Sequence, residues 1–121
     1  MKCKHCVSEL YRADAIKLND EALIRKALIN AAEVAGATLI EIVTHSFTPQ
    51  GVTGFALLAE SHISIHTWPE FEFASVDAFT CGEATDPELA CNYLASYLNA
   101  KGHSVSVIDR MSPQILNKTY A

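Results

Sequence analysis

The densest run of reactive side chains is Glu60-Ser61-His62-Ile63-Ser64-Ile65-His66-Thr67-Trp68-Pro69-Glu70. Two histidines four apart would share one face of a helix and could chelate a metal ion. The residues between them alternate apolar and polar, however, which is the pattern of a strand. At about 3.3 Å per residue the two rings then sit roughly 13 Å apart, too far for one tetrahedral ion. No metal site is expected there. Ser61, His66 and Asp77 have the residue types of a nucleophilic triad. No G-x-S-x-G elbow surrounds Ser61, and serine and histidine are common, so these read by default as polar residues on the surface. Cys3 and Cys6 form a C-x-x-C pair. A zinc ribbon needs a second close pair, and Cys81 and Cys91 are too widely spaced. A redox C-x-x-C would follow a strand and open a helix, whereas Cys6 lies inside a strand candidate. Neither terminal cysteine is given a role. Cys81 stands at a strand end before Gly82, where a loop can present a thiol. An ordinary thiol has a pKa near ~8.5 and can donate a proton at pH 7. A buried, inert cysteine is the alternative. Phe47, Trp68, Phe71 and Phe73 suit a core, or a platform for a planar ring.

The elements that must position these groups follow from periodicity. Positions 4–12 read as a first strand, with Cys6, Ser8 and Leu10 on one face and Val7, Glu9 and Tyr11 on the other. Residues 20–35 read as an amphipathic helix with Asn19 as N-cap and Gly36 as the left-handed residue past its end. Its stripe is Leu23, Ala27, Leu28, Ala31, Val34 and Ala35. Strands are expected over 38–47, 52–59, 62–68 and 73–80, with turn chemistry at Pro49-Gln50-Gly51 and a break at Pro69-Glu70. Asp86-Pro87 opens a second helix, with Leu89, Tyr93, Leu94, Tyr97 and Leu98 as its apolar stripe. Residues 103–110 form a last strand, and the polar tail 111–121 is expected to be loosely held. A two-layer α+β sandwich fits this order: a mainly antiparallel sheet with two helices on one face. The other sheet face then needs cover, which a second copy of the chain could supply.

Composition narrows the function classes. The 121 residues suit one domain, 1–121, and half are apolar. A net charge of −5 argues against a nucleic-acid partner. No apolar run is long enough to span a membrane, and the start does not read as a signal core. A cytoplasmic protein with reduced thiols is expected, without a disulfide framework.

The central run closely resembles the self-processing segment of prokaryotic, pyruvoyl-dependent S-adenosylmethionine decarboxylase proenzymes. Pro49-Gln50-Gly51-Val52-Thr53-Gly54 resembles the family's P-x-G-V-S-G turn, and Phe79-Thr80-Cys81-Gly82 its F-T-C-G. Lys4-His5, Gly36-Ala37-Thr38 and Asp86-Pro87 fall in family order. The resemblance implies the family's sandwich fold and a homodimer of processed protomers. It implies a self-made pyruvoyl cofactor in place of pyridoxal phosphate. Ser61 would attack the carbonyl of Glu60, cutting the chain into a 1–60 β chain and a 61–121 α chain. Ser61 would become the pyruvoyl group that forms a Schiff base with the substrate amine. His66 would be the processing base, Thr53 would assist processing, and Cys81 would return a proton to substrate. Phe47, Trp68 and Glu70 would bind the adenosyl moiety, with Glu70 on the ribose hydroxyls. The product would be the aminopropyl donor of spermidine synthesis.

Three departures stand out. Thr53 replaces the family's serine, keeping the hydroxyl but adding a methyl. Glu72 stands where glycine is usual. Tyr11-Arg12-Ala13-Asp14 departs from Y-G-C-D. Similar proteins decarboxylate ornithine or arginine, whose distal cation Glu72 or Glu9 could meet. That substrate, and a non-catalytic subunit, are the alternatives.

Overall fold

The computed structural model describes residues 2–110. Strand β1 is Cys3–Tyr11, followed by helices α1, Ala15–Leu18, and α2, Glu21–Val34. Strands β2, Leu39–Ser46, β3, Val52–Leu58, β4, Ser61–Trp68, and β5, Phe73–Cys81, come next. Helix α3, Pro87–Tyr97, and strand β6, Gly102–Arg110, complete the order. The six strands form one sheet, β2-β3-β4-β5-β1-β6, and every neighbouring pair is antiparallel. The two-layer α+β expectation holds. The expected loose tail lies outside the described residues. Among the described residues, no helix is long and apolar enough to cross a membrane.

Local chemistry accounts for the boundaries. Asp20, not Asn19, caps α2: its carboxylate accepts the Leu23 amide at 3.1 Å. Asn19 instead ends α1, and its side-chain oxygen accepts the Gly51 amide at 2.9 Å. Helix α1 was not legible because four residues carry no periodicity; Asp14 caps it by accepting from Ile16 and Lys17. Gly36 follows α2 at φ +75°, and a β-carbon there would meet the Ala84 carbonyl oxygen at 2.6 Å. Asp86 caps α3, with Pro87 in its first turn.

The helix stripes differ in detail from the periodic reading. In α2 the buried residues are Ile24, Ala27, Leu28, Ala31 and Ala32, while Val34 is exposed. In α3 they are Pro87, Ala90, Cys91, Leu94 and Ala95, with Leu98 buried at the cap and Leu89 exposed. Small residues at the contact let each helix approach the sheet around the buried Ile24, Leu28 and Leu94, while Val34, Leu89 and Tyr93 flank it. Tyr93 is such a flank residue; its hydroxyl accepts from Asn30 at 2.9 Å and ties α3 to α2.

Alternation divides the sheet into two faces. Cys6, Leu10, Val52, Ala56, Ile63, Ile65, Ala74, Val76 and Ala78 are buried in one core with the helices. His5, Val7, Glu9, Phe55, Leu57, His62, His66, Trp68, Asp77 and Phe79 alternate with them on the opposite face. That face exposes Tyr11, Val43, Phe55, Leu57, Trp68 and Ile108. It is the face for which a second copy was expected.

Candidate active site

The expected site residues fall at two opposite ends of the sheet. Thr53 and His66 are register partners on β3 and β4, and Thr53 Oγ1 lies 3.1 Å from His66 Nδ1. Trp68 ends β4 beside Phe73, its ring centroid 5.7 Å away. Glu70 is exposed in the 3₁₀ turn Pro69–Phe71 that follows. Phe47 is reached by the β2–β3 turn at this same end. Its amide donates to the Gly51 carbonyl, and its ring meets His45 edge-on at 4.5 Å. Five proposed site residues therefore share one end.

Ser61 begins β4 at the other end. It follows a tight turn in which Glu60 takes the left-handed φ of +66°, uncommon and costly for a residue with a side chain. The Ser61 hydroxyl donates to the Ala59 carbonyl at 3.1 Å, so it lies against the turn that carries the Glu60–Ser61 peptide. Cys81 ends β5 at this end too, since β4 and β5 are antiparallel and His62 pairs with Phe79. Ser61 and His66 stand five positions apart along the strand, about 16 Å at 3.3 Å per position. One chain does not bring Ser61 and His66 together.

Two expectations about cysteines are corrected. Cys3 and Cys81 are register partners on β1 and β5, with Cα atoms 4.0 Å apart, and form a disulfide. Cys3 is therefore bonded to Cys81 in this structure, against the expectation of reduced thiols and of a Cys3 without a role. The link spans 78 residues of sequence. Nothing in local spacing reveals it, because pairing across strands creates it. Cys6 and Cys91 stay thiols in the core. Contact with Cys6, and then burial, push the Cys91 thiol far up, which leaves it inert.

The triad reading of Ser61, His66 and Asp77 does not survive either. Asp77 belongs to a cluster between the ends that residue spacing missed. His5 Nε2 and His62 Nε2 each lie 3.0 Å from Asp77 Oδ2, and the Ser64 hydroxyl donates to Oδ1. A carboxylate only accepts, so both rings donate Nε2–H. Their ligand atoms lie close enough for a cation, but hydrogen bonds already close the cluster on itself. Phe55 stacks on His62 at 5.4 Å. The signal that could have found the cluster is register, which places His5 and His62 on either side of Phe79.

Burial alone would raise the Asp77 carboxyl; the hydrogen bonds from Ser64, His5 and His62 outweigh it and hold it below its ordinary value. A lowered folded-state value means the unfolded chain takes up its proton first as pH falls. The stabilisation is present above the ordinary carboxylate value and is lost as pH drops through the folded one. Asp77→Asn should therefore lower the denaturation midpoint at neutral pH. The gap from the parent should shrink steadily below about pH 4, the ordinary carboxylate range. Denaturant titrations at several pH values check this, and a gap that widens toward acid would reverse the sign.

Glu72 takes φ +52° after the 3₁₀ turn, and its carbonyl accepts the Ala13 amide at 2.9 Å. The left-handed φ explains why glycine would suit this position. The Glu72 side chain is exposed.

Comparison with known proteins gives a consistent result. The family model described as S-adenosylmethionine decarboxylase matches residues 4–111. An S-adenosylmethionine decarboxylase proenzyme of Prochlorococcus marinus (strain MIT 9313) is 57% identical, over 93% of this chain and 90% of that protein. The proenzyme of Clostridium tetani is 42% identical, over 88% and 85%. The crystal structure of the adenosylmethionine decarboxylase from Aquifex aeolicus superposes with a TM-score of 0.85 at 36% identity, covering 99% of this chain and 98% of that one.

Proposed function

The chain belongs to the S-adenosylmethionine decarboxylase family, and from that membership we propose a self-cutting proenzyme whose active site is completed by a second copy of itself. Its reaction is the decarboxylation of S-adenosylmethionine. The observation that carries the proposal is the placement of Ser61, whose hydroxyl lies against the strained turn that holds the Glu60 carbonyl. That placement also fits a serine-derived pyruvoyl group.

Processing follows from the chain's own groups. Ser61 Oγ attacks the Glu60 carbonyl carbon, and the peptide nitrogen leaves, so the amide becomes an ester. A base then removes the Cα proton of residue 61. The Cβ–Oγ bond breaks, releasing the Glu60 carboxylate and leaving a dehydroalanine. This tautomerises to an imine. Water hydrolyses the imine, ammonia departs, and a pyruvoyl group heads the 61–121 chain.

His66 is the base in this reading, and it is supplied by the second copy. It stands about 16 Å from Ser61 along its own strand. A two-fold axis between facing sheets and perpendicular to the strands reverses strand direction. Each His66 end then lies over the partner's Ser61 end. The exposed apolar face of the sheet supports this packing. With Nδ1–H donated to Thr53 Oγ1, the His66 Nε2 lone pair is left for the proton. The Thr53 hydroxyl can accept this bond, so it suits the tautomer that leaves Nε2 free.

In turnover the pyruvoyl carbonyl supplies the sink for the electrons that carbon dioxide leaves behind. Cys81, as a thiol, protonates the substrate carbon. Phe47 and Trp68 present ring faces to the adenine, and Glu70 accepts from the ribose hydroxyls; all three travel with His66. The test is intact mass with an assay of carbon dioxide release from S-adenosylmethionine. Two fragments divided at Glu60–Ser61, together with release, support the reading. An intact chain without release overturns it.

A further inference from the structure

The disulfide that joins Cys3 to Cys81 occupies the sulfur to which the reaction assigns proton transfer. We propose that Cys81 is a redox modification site: bonding to Cys3 stops turnover without stopping self-cleavage, and a dithiol reductant restores it. This rests on the decarboxylase reading above.

Several observations converge. A disulfide sulfur carries no proton, so the oxidised pair has no acid to offer. The register sets Cys3 directly opposite Cys81, so the two sulfurs are neighbours whenever β1 and β5 are paired. The core thiols, Cys6 and Cys91, are fully buried and stay reduced, so the chemistry is confined to the pair that includes the proton donor. Cys81 is partly exposed while Cys3 is buried, and substrate must reach Cys81 in the dimer as well, so a thiolate entering the site meets the catalytic sulfur.

The exchange balances. One thiolate of the reductant attacks the Cys81 sulfur, the Cys3 thiolate leaves and takes a proton, and a mixed disulfide forms. The second thiolate of the reductant closes its own disulfide and releases Cys81. Two electrons pass from the dithiol to the protein pair. Ser61, His66 and Thr53 take no part, which is why cutting is unaffected.

The bond has a second consequence. Cys3 lies in the 1–60 segment and Cys81 in the 61–121 segment, so after cleavage the disulfide is a covalent link between the two chains.

The experiment uses the processed full-length protein, oxidised with glutathione disulfide or reduced with dithiothreitol, beside Cys3→Ser. Non-reducing intact mass should show the oxidised parent as one linked species, and the reduced parent as two chains. Carbon dioxide release should fall by about 10²–10⁴ on oxidation, the usual worth of a positioned acid, and return with dithiothreitol. Cys3→Ser should run as two chains and, where intact mass shows no glutathione on Cys81, turn over equally in both conditions. A linked parent that turns over at the reduced rate overturns the switch and leaves the decarboxylase reading standing. A parent that never links under oxidant overturns it too. Reduced Cys3→Ser that is cut yet releases no carbon dioxide is a different failure: it removes the decarboxylase reading, and the switch with it.

Discussion

Ser61→Ala is expected to yield one uncut chain of 13.2 kDa that releases no carbon dioxide from S-adenosylmethionine. The alanine keeps the β-carbon and loses the only atom able to attack the Glu60 carbonyl from that position. Without the acyl shift there is no ester, no elimination and no pyruvoyl group, so cutting and turnover vanish together. The fold should survive. Ser61 is half-buried at the start of β4, and its hydroxyl bond to Ala59 is worth about 1 kcal/mol at most in such a setting. Intact mass and a thermal melt separate the two effects. Fragments divided after Glu60 in this variant would remove Ser61 as nucleophile.

His66→Ala should act one step later. The acyl shift needs the Ser61 hydroxyl and the strained turn, both at the far end of the strand, so an ester still forms. Proton removal from residue 61 then lacks its base, and processing should slow by about 10²–10⁴-fold. The stalled ester should be split by hydroxylamine, giving a 1–60 hydroxamate visible by mass. The lost contact with Thr53 is near the surface and should cost little stability. Normal processing in this variant, or a stalled chain that resists hydroxylamine, would take His66 out of the elimination.

Much of this arrangement was legible in the sequence, and the missing parts share a cause. Alternation placed Cys6, Ser8 and Leu10 opposite Val7, Glu9 and Tyr11, and β1 keeps that division. Asp86-Pro87 and Gly36 marked helix ends because caps are local chemistry. Ser61, His66, Thr53 and Cys81 were named by motif, which fixes identity but not distance. Strand geometry sends Ser61 and His66 to opposite ends, although they stand only five positions apart. The Cys3–Cys81 bond and the cluster of His5, His62, Ser64 and Asp77 are products of register. Register emerges only when β1, β4 and β5 pair, long after local spacing has been read. The stripes of α2 and α3 were misjudged where size overrode hydrophobicity: Ala90, Cys91 and Ala95 face the sheet, and Leu89 does not.

The shared site is the central claim, and one mixing experiment tests it most directly. Ser61→Ala and His66→Ala chains, carrying different tags, are expressed together and also alone. Each alone leaves both sites of its dimer defective. In a mixed dimer, one site joins the Ser61 of the His66→Ala chain to the His66 of the Ser61→Ala chain, and is whole. The account predicts that co-expression cuts the His66→Ala chain, leaves the Ser61→Ala chain intact, and restores carbon dioxide release from one site per mixed dimer. Mixed dimers in which neither chain is cut would contradict it, because they would mean that Ser61 and His66 must come from the same chain.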